Sequence, residues 1–227
     1  MTNVKSMLGC LLPVKTQHKL MMKLVKENYA TGEYNKTYRN HGRELTDGEC
    51  HVIACFAIDM CRLAGDTRRP RVLDIGCGDG ALYDGFMDSL GIDVTGVDIS
   101  RRQIEEAKKN CPNAKYLCGD FTKYNPKRLY DGITSFYSFY NLPRREHLKV
   151  LKRLYGMLRN GGEVLINVRK KAIQPFDFWY DWCGKPMAFS YYSCKKFSRL
   201  ATIAGFEVSQ FDVQDHDEYV WLLLKKQ

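Results

Sequence analysis

The sequence predicts an α/β fold: a mostly parallel seven-stranded sheet with helices on both faces and an antiparallel strand at its C-terminal end. Three observations predict it. Short β-branched and aliphatic runs alternate with helix-period segments between residues 71 and 168, the pattern of right-handed strand-helix-strand crossovers. The run at 72–75 enters a glycine-rich turn ahead of the next helical stretch, as strand-turn-helix units do. Two late apolar runs, 206–213 and 219–225, are separated by a segment short enough for a hairpin, which turns the last strand antiparallel.

The elements follow in order. Residues 14–28 are expected to be helical, because Lys15, Lys19, Lys23 and Lys26 recur opposite Leu20, Met21, Leu24 and Val25 as a basic amphipathic helix. Residues 30–44 are polar and rich in tyrosine. From Thr46 the run TDGE forms a capping box, with Thr46 as N-cap and Glu49 at N3. It opens a helix carrying Val52, Ile53, Phe56, Ala57, Met60 and Leu63, which stops at Gly65. A strand at 71–75, a helix at 81–90, a strand at 93–98 and a helix at 101–110 capped by Ser100 come next. Strands at 114–118 and 131–137 precede a helix over 143–158, which ends at Asn160, Gly161 and Gly162. A fifth strand at 163–168 and a helix at 196–204 lead to the closing strand pair. Residues 1–45 read as an N-terminal helical extension or lid, and 46–227 as one domain without repeats or low-complexity linkers.

Composition narrows the class. With 44% hydrophobic and 27% charged residues, the chain is ordinary for a globular protein, and no apolar run approaches the roughly 20 residues that span a bilayer. Lys5 followed by MLGCLLPV faintly resembles a leader or a lipoprotein cleavage site. That run is short and lies mostly after Cys10, so it reads as packing. The nine cysteines are odd in number and include no C-x-x-C pair, which fits a reducing, cytoplasmic setting. The net charge of +9 falls in short groups such as Arg68, Arg69 and Arg71, or Arg169, Lys170 and Lys171. None interleaves with aromatic platforms, so the charge reads as a solvated surface, with a nucleic-acid partner as the second reading.

Chemistry concentrates at three strand ends. VLDIGCGDG, residues 72–80, places glycines at 76, 78 and 80 with Asp74 two residues ahead, a turn that lets bare backbone approach a ligand. Gly76, Gly78 and Ala81 also satisfy the dinucleotide pattern G-x-G-x-x-G/A. A carboxylate at Asp74 would oppose a pyrophosphate there and attract an ammonium group. Asp98 ends the second run, 22 residues after Gly76, where it can accept from two ribose hydroxyls. Asp120 and Phe121 end the third, suited to an exocyclic amine and an adenine face.

At these residues the chain resembles the class I S-adenosylmethionine-dependent methyltransferases, in particular the small single-domain bacterial type whose first motif reads like DIGCGDG. The resemblance covers about residues 70 to 168 and implies a Rossmann-like sheet, a methyltransferase activity and S-adenosyl-L-methionine as cofactor. It implies cofactor contacts from Asp74, Gly76, Cys77, Gly78, Asp98, Ile99, Asp120 and Phe121. In SFYSFYNLP, residues 135–143, Tyr137 and Ser138 would meet the methionyl group, and Tyr140 and Asn141 the acceptor. The segment is neither NPPY nor DPPY, and no Pro-Cys pair occurs there, which lowers the amide and DNA readings.

The acceptor pocket is expected to be roofed by residues 30–44 and the aromatic segment 176–192, with Tyr38, His41, Tyr180 and Trp182 lining it. Tyr38, His41, Tyr140 and Tyr180 are the catalytic candidates, and Asn141 joins the acceptor-binding set. No metal site is expected, because the five histidines lack ligand spacing, and His147 is expected on the exposed side of its helix. The leading reading is methylation of a small molecule. An RNA or protein methyltransferase using the basic surface, and a cofactor-binding module without catalysis, are the alternatives.

Overall fold

The computed structural model describes residues 13–39, 43–171, 176–211, 213 and 218–227. Cys10 and His41 therefore lie outside the described residues. Helix α1 spans Val14–Tyr29, and a π-helical stretch, Asn35–Arg39, follows it. Helix α2, Asp47–Ala64, starts at the expected capping box: Thr46 Oγ1 accepts from Glu49 N at 3.2 Å, and Glu49 Oε2 accepts from Thr46 N at 3.2 Å. Then come β1 (Arg71–Ile75), α3 (Tyr83–Ser89), β2 (Asp93–Asp98), α4 (Arg101–Asn110), β3 (Lys115–Cys118) and β4 (Tyr130–Ser135). Helix α5 (His147–Met157), β5 (Leu158–Arg169), β6 (Phe176–Trp182), β7 (Lys185–Ser190), α6 (Cys194–Ile203), β8 (Phe206–Phe211) and β9 (Tyr219–Lys226) complete the chain.

The sheet has seven strands in the order β3-β2-β1-β4-β5-β9-β8, parallel except where β9 joins β5 and β8 antiparallel. Period-2 alternation assigns its two faces. Leu73, Ile75, Val164, Ile166, Leu222 and Leu224 pack under α5 and α6, whereas Val72, Val94, Leu165 and Trp221 pack under α2 and α3. Both clusters are buried, so the sheet is covered on both faces, as parallel sheets require.

Two basic groups serve the fold. Arg68 forks onto both oxygens of Asp131 at 2.6 and 2.7 Å, and Arg69 donates to Gly91 O at 2.8 Å.

The structure adds elements and moves others. The segment 176–192, expected as an aromatic flap, holds the hairpin β6–β7, which forms a second, two-stranded sheet. Strand β5 begins five residues earlier than 163, with a register shift opposite Tyr130 and Gly132 that accommodates Gly161 at φ 79°. His147 is 2% exposed rather than on the surface; its Nε2 donates to Leu142 O at 3.2 Å, and its ring packs edge-on against Phe139. Burial without a charged partner pushes its pKa down to about 3.

Candidate cofactor and acceptor site

Strand order reverses between β1 and β4, and an open α/β sheet leaves a crevice at the carboxyl ends of the strands where that happens. A cleft of about 660 Å³, its open mouth included, occupies this position. Gly76 and Gly78 line its floor and hold φ of 75° and 59°, a left-handed conformation that costs glycine nothing. The turn tolerates nothing larger at Gly76, where a Cβ would stand 2.3 Å from Ser138 Cβ. Ser138 is pinned by donating to Ile75 O at 2.8 Å.

Asp98 and Ile99, at the end of β2, form one wall. The Asp98 carboxylate accepts from Gly78 N at 3.1 Å and from Ser100 N at 2.8 Å, which ties the glycine turn to the neighbouring strand end. Burial raises its pKa to about 6, against the pull of those two amides. Asp120 and Phe121, after β3, form the next wall. One Asp120 oxygen accepts from Thr122 N at 2.9 Å and Thr122 Oγ1 at 2.6 Å. The other meets His18 Nε2 at 3.1 Å, while His18 Nδ1 meets Glu146 at 2.6 Å. A histidine bonded to a carboxylate at each ring nitrogen is an imidazolium, and the Asp120 bond together with the Glu146 charge raises its pKa. Burial works against Asp120 ionisation, but the His18 and Thr122 bonds outweigh it and hold the carboxyl well below its usual range.

Met22, Val25 and Tyr29 of α1, with Tyr34, cover the cleft from above. Tyr34 stacks on Trp182 with centroids 5.3 Å apart, and Tyr29 meets Trp182 edge-on at 5.7 Å. Tyr34 and Trp182, one from each of the two expected roof segments, thus meet beside the cleft. Trp182 stands one layer behind Tyr34. Tyr180 is 55% exposed and packs on Phe178, away from the cleft. Tyr38 belongs to the π-helical stretch.

Phe136, Tyr137, Ser138, Asn141 and Leu142 form the far end of the cleft. Tyr137 holds φ 54°, rare for a non-glycine residue, with its N–H donating to Asn167 Oδ1 at 2.7 Å. Tyr140 does not reach this cleft and instead lines a smaller cavity beside Asn167 and Arg169. Two other residues also turn away. Cys77 packs with Ile104, Ala107 and Tyr116 and does not line the cleft. Asp74 is 2% exposed and absent from the cleft lining. It shares a strand face with Val72, hence with α3, where Asp84 lies beside it and has its carboxyl pushed well up by burial and by Asp74. A carboxylate at the mouth of the turn, as expected from sequence, is not what the strand's alternation delivers.

Residues 72–162 match the methyltransferase domain family. The fold agrees with that of a Synechocystis magnesium protoporphyrin IX methyltransferase solved with S-adenosylmethionine: TM-score 0.68, 13% identity, 91% of this chain and 97% of that one. Residues 72–162 thus carry a methyltransferase domain, and the chain has the fold of S-adenosylmethionine-dependent methyltransferases. A DhpI complex with the demethylated cofactor aligns equally well, with TM-score 0.68 and 18% identity over 91% of this chain and 97% of that one. Among curated relatives, the malonyl-[acyl-carrier protein] O-methyltransferase 1 of Ilyobacter polytropus is 27% identical over 63% of this chain and 50% of its own length. The trans-aconitate 2-methyltransferase of Rhizobium rhizogenes is 27% identical over 48% and 42% respectively. The chain spans about half the length of these relatives.

The donor set of the cleft fits the family's cofactor. A carboxylate beside a glycine turn, a second carboxylate one strand further along and an aromatic ring next to it would hold ribose, adenine amine and adenine face. No described helix is long and apolar enough to cross a membrane, and no group of three or more metal-ligating side chains occurs among the described residues.

Proposed function

We propose that this chain transfers a methyl group from S-adenosylmethionine to a small-molecule acceptor, with residues 1–45 serving as a lid over 46–227. The observation that carries the reading is the Asp98 carboxylate, fixed by Gly78 and Ser100 at the edge of a cleft whose floor is glycine. Arg68 and Arg69 are engaged within the fold, so nothing raises a nucleic-acid acceptor above a small one, and the relatives named above are a malonyl-carrier and an aconitate methyltransferase.

When bound, the cofactor supplies an already activated methyl group, so the protein's task is alignment and exclusion of water. Asp98 would accept the ribose hydroxyls and Asp120 the adenine amine, the latter by sharing or displacing His18. Ser138 and the strained Tyr137 would fix the reacting end. Burial pushes the Tyr137 phenol up to about 12 and Tyr140 well above its usual value, so neither is ionised at neutral pH. Positioning, rather than a phenolate base, carries the reaction.

Cofactor affinity should fall as the pH drops through about 6, because only ionised Asp98 accepts both hydroxyls. Titration calorimetry between about pH 5 and 8 checks this; a flat profile excludes Asp98 as the ribose acceptor. The activity itself is tested by incubating the protein with methyl-labelled donor and fractionated metabolites. Label should enter a small-molecule fraction. Label confined to protein or RNA would overturn the acceptor class, and cofactor binding without turnover in any fraction would mark a binding module.

A further inference from the structure

The smaller cavity next to the cleft is lined by Asn167 and Arg169, together with Tyr140 and Tyr191. Asn167 and Arg169 are two apart on β5, so their side chains share one strand face. The Asn167 amide is oriented by its Oδ1, which accepts from Tyr137 N. That leaves its Nδ2 as a buried donor, and neither Nδ2 nor Arg169 Nε has an acceptor among the described residues. The guanidinium lies over the Tyr191 ring at 4.6 Å and within 6.0 Å of the Tyr219 ring. Its carboxylate contact, Glu218 at 3.1 Å, is 68% exposed against 22% for Arg169, so water screens that pair.

A buried amide donor beside a guanidinium whose Nε, like that amide, has no acceptor among the described residues, although its other nitrogens meet Glu218 and Tyr219, matches a planar anion. The position relates this site to the cleft. Tyr219 stacks edge-on against Tyr137 at 5.0 Å, and Tyr137 lines the cofactor cleft. We infer that Arg169 and Asn167 anchor a carboxylate of the acceptor, with the rest of the acceptor lying along Tyr219 and Tyr137 towards the cleft. This inference rests on the function proposed above. Arg169 is then a specificity-determining residue that favours acidic acceptors over neutral ones of the same shape.

The test uses the full chain saturated with S-adenosylhomocysteine and three aromatic probes, benzoate, benzamide and phenyl phosphate, with affinities measured by ligand-observed NMR. Benzoate should bind at least roughly ten-fold more tightly than its neutral amide, the size expected when a charge-assisted bond is lost. Arg169→Gln should remove that preference, and Arg169→Lys should restore part of it. Equal binding of benzoate and benzamide to the wild type overturns the inference without needing any variant to fold. So does unchanged benzoate binding in Arg169→Gln, or binding of phenyl phosphate in place of benzoate. Arg169-dependent benzoate binding by a protein that fails to bind S-adenosylhomocysteine would sink the proposed methyl transfer while leaving the anion site standing. S-adenosylhomocysteine binding without benzoate binding would sink the anion site alone.

Discussion

Asp98→Ala should weaken S-adenosylmethionine binding by roughly 10²- to 10⁴-fold, the consequence of losing two charge-assisted hydrogen bonds at about 1.5–3 kcal/mol each. The side chain does more than face the ligand. It accepts from Gly78 N and Ser100 N, so its removal also loosens the glycine turn that must stay close to the cofactor. Asp98→Asn separates the two effects. It keeps one acceptor oxygen for the turn but loses the charge, and should recover only part of the affinity. Calorimetric titration of both variants decides the matter, and an alanine variant that binds within about three-fold of wild type, under 1 kcal/mol, would remove Asp98 from the site.

Asp131→Ala should be the costliest single change to stability away from the cleft, about 3–5 kcal/mol, as when one partner of a buried ion pair is deleted. Asp131 is fully buried at the start of β4 and holds Arg68 through two bonds, Arg71 N at 2.8 Å and Arg159 at 3.5 Å. Burial alone would raise its pKa, yet Arg68 and the Arg71 amide hold it below the usual carboxylate value. A depressed pKa in the folded state contributes stability above the unfolded value and loses it as the pH falls. The gap between wild type and variant should therefore be full at pH 7 and close below about pH 4. Urea unfolding with an unchanged slope measures it. A difference under about 1 kcal/mol at neutral pH would mean that the arginines are held by other contacts.

The parallel sheet was readable because its strands are apolar runs stopped by a polar or glycine residue, and Asp98, Asp120, Phe121 and Ser138 inherit their places from those stops. Asp74 shows where such reading fails. Its distance from the glycines in sequence is right for the turn, but pleating sends its side chain to the α3 face beside Asp84. The hairpin was legible in part, since 176–182 (FDFWYDW) alternates aromatic and acidic residues except at Trp179, but the aromatic density reads equally as a flap. His147 sits among basic residues that suggest solvent, and only the chain returning at Phe197 and Tyr192 buries it. His18 meets partners 102 and 128 residues away. Arg169 stands beside Tyr219 through the antiparallel register of β5 and β9. Neither pairing leaves a local trace in the sequence.

Strands β6 and β7 pair with each other and with no strand of the main sheet; Phe176, Met187, Ala188 and Phe189 pack on Met21 and Val25 of α1, and a few hydrogen bonds add to that packing. Asn28 donates to Trp182 O at 2.7 Å and to Lys185 O at 3.2 Å, and Arg144 N donates to Ser190 Oγ at 2.9 Å. A cover that closes its own ladder can lengthen, shorten or change its aromatic residues without shifting the register of the seven strands beneath it. Acceptor choice and cofactor retention are thereby free to diverge separately. Drift in the hairpin would reshape the cover, while the strand ends that face the cofactor stay under a constraint of their own.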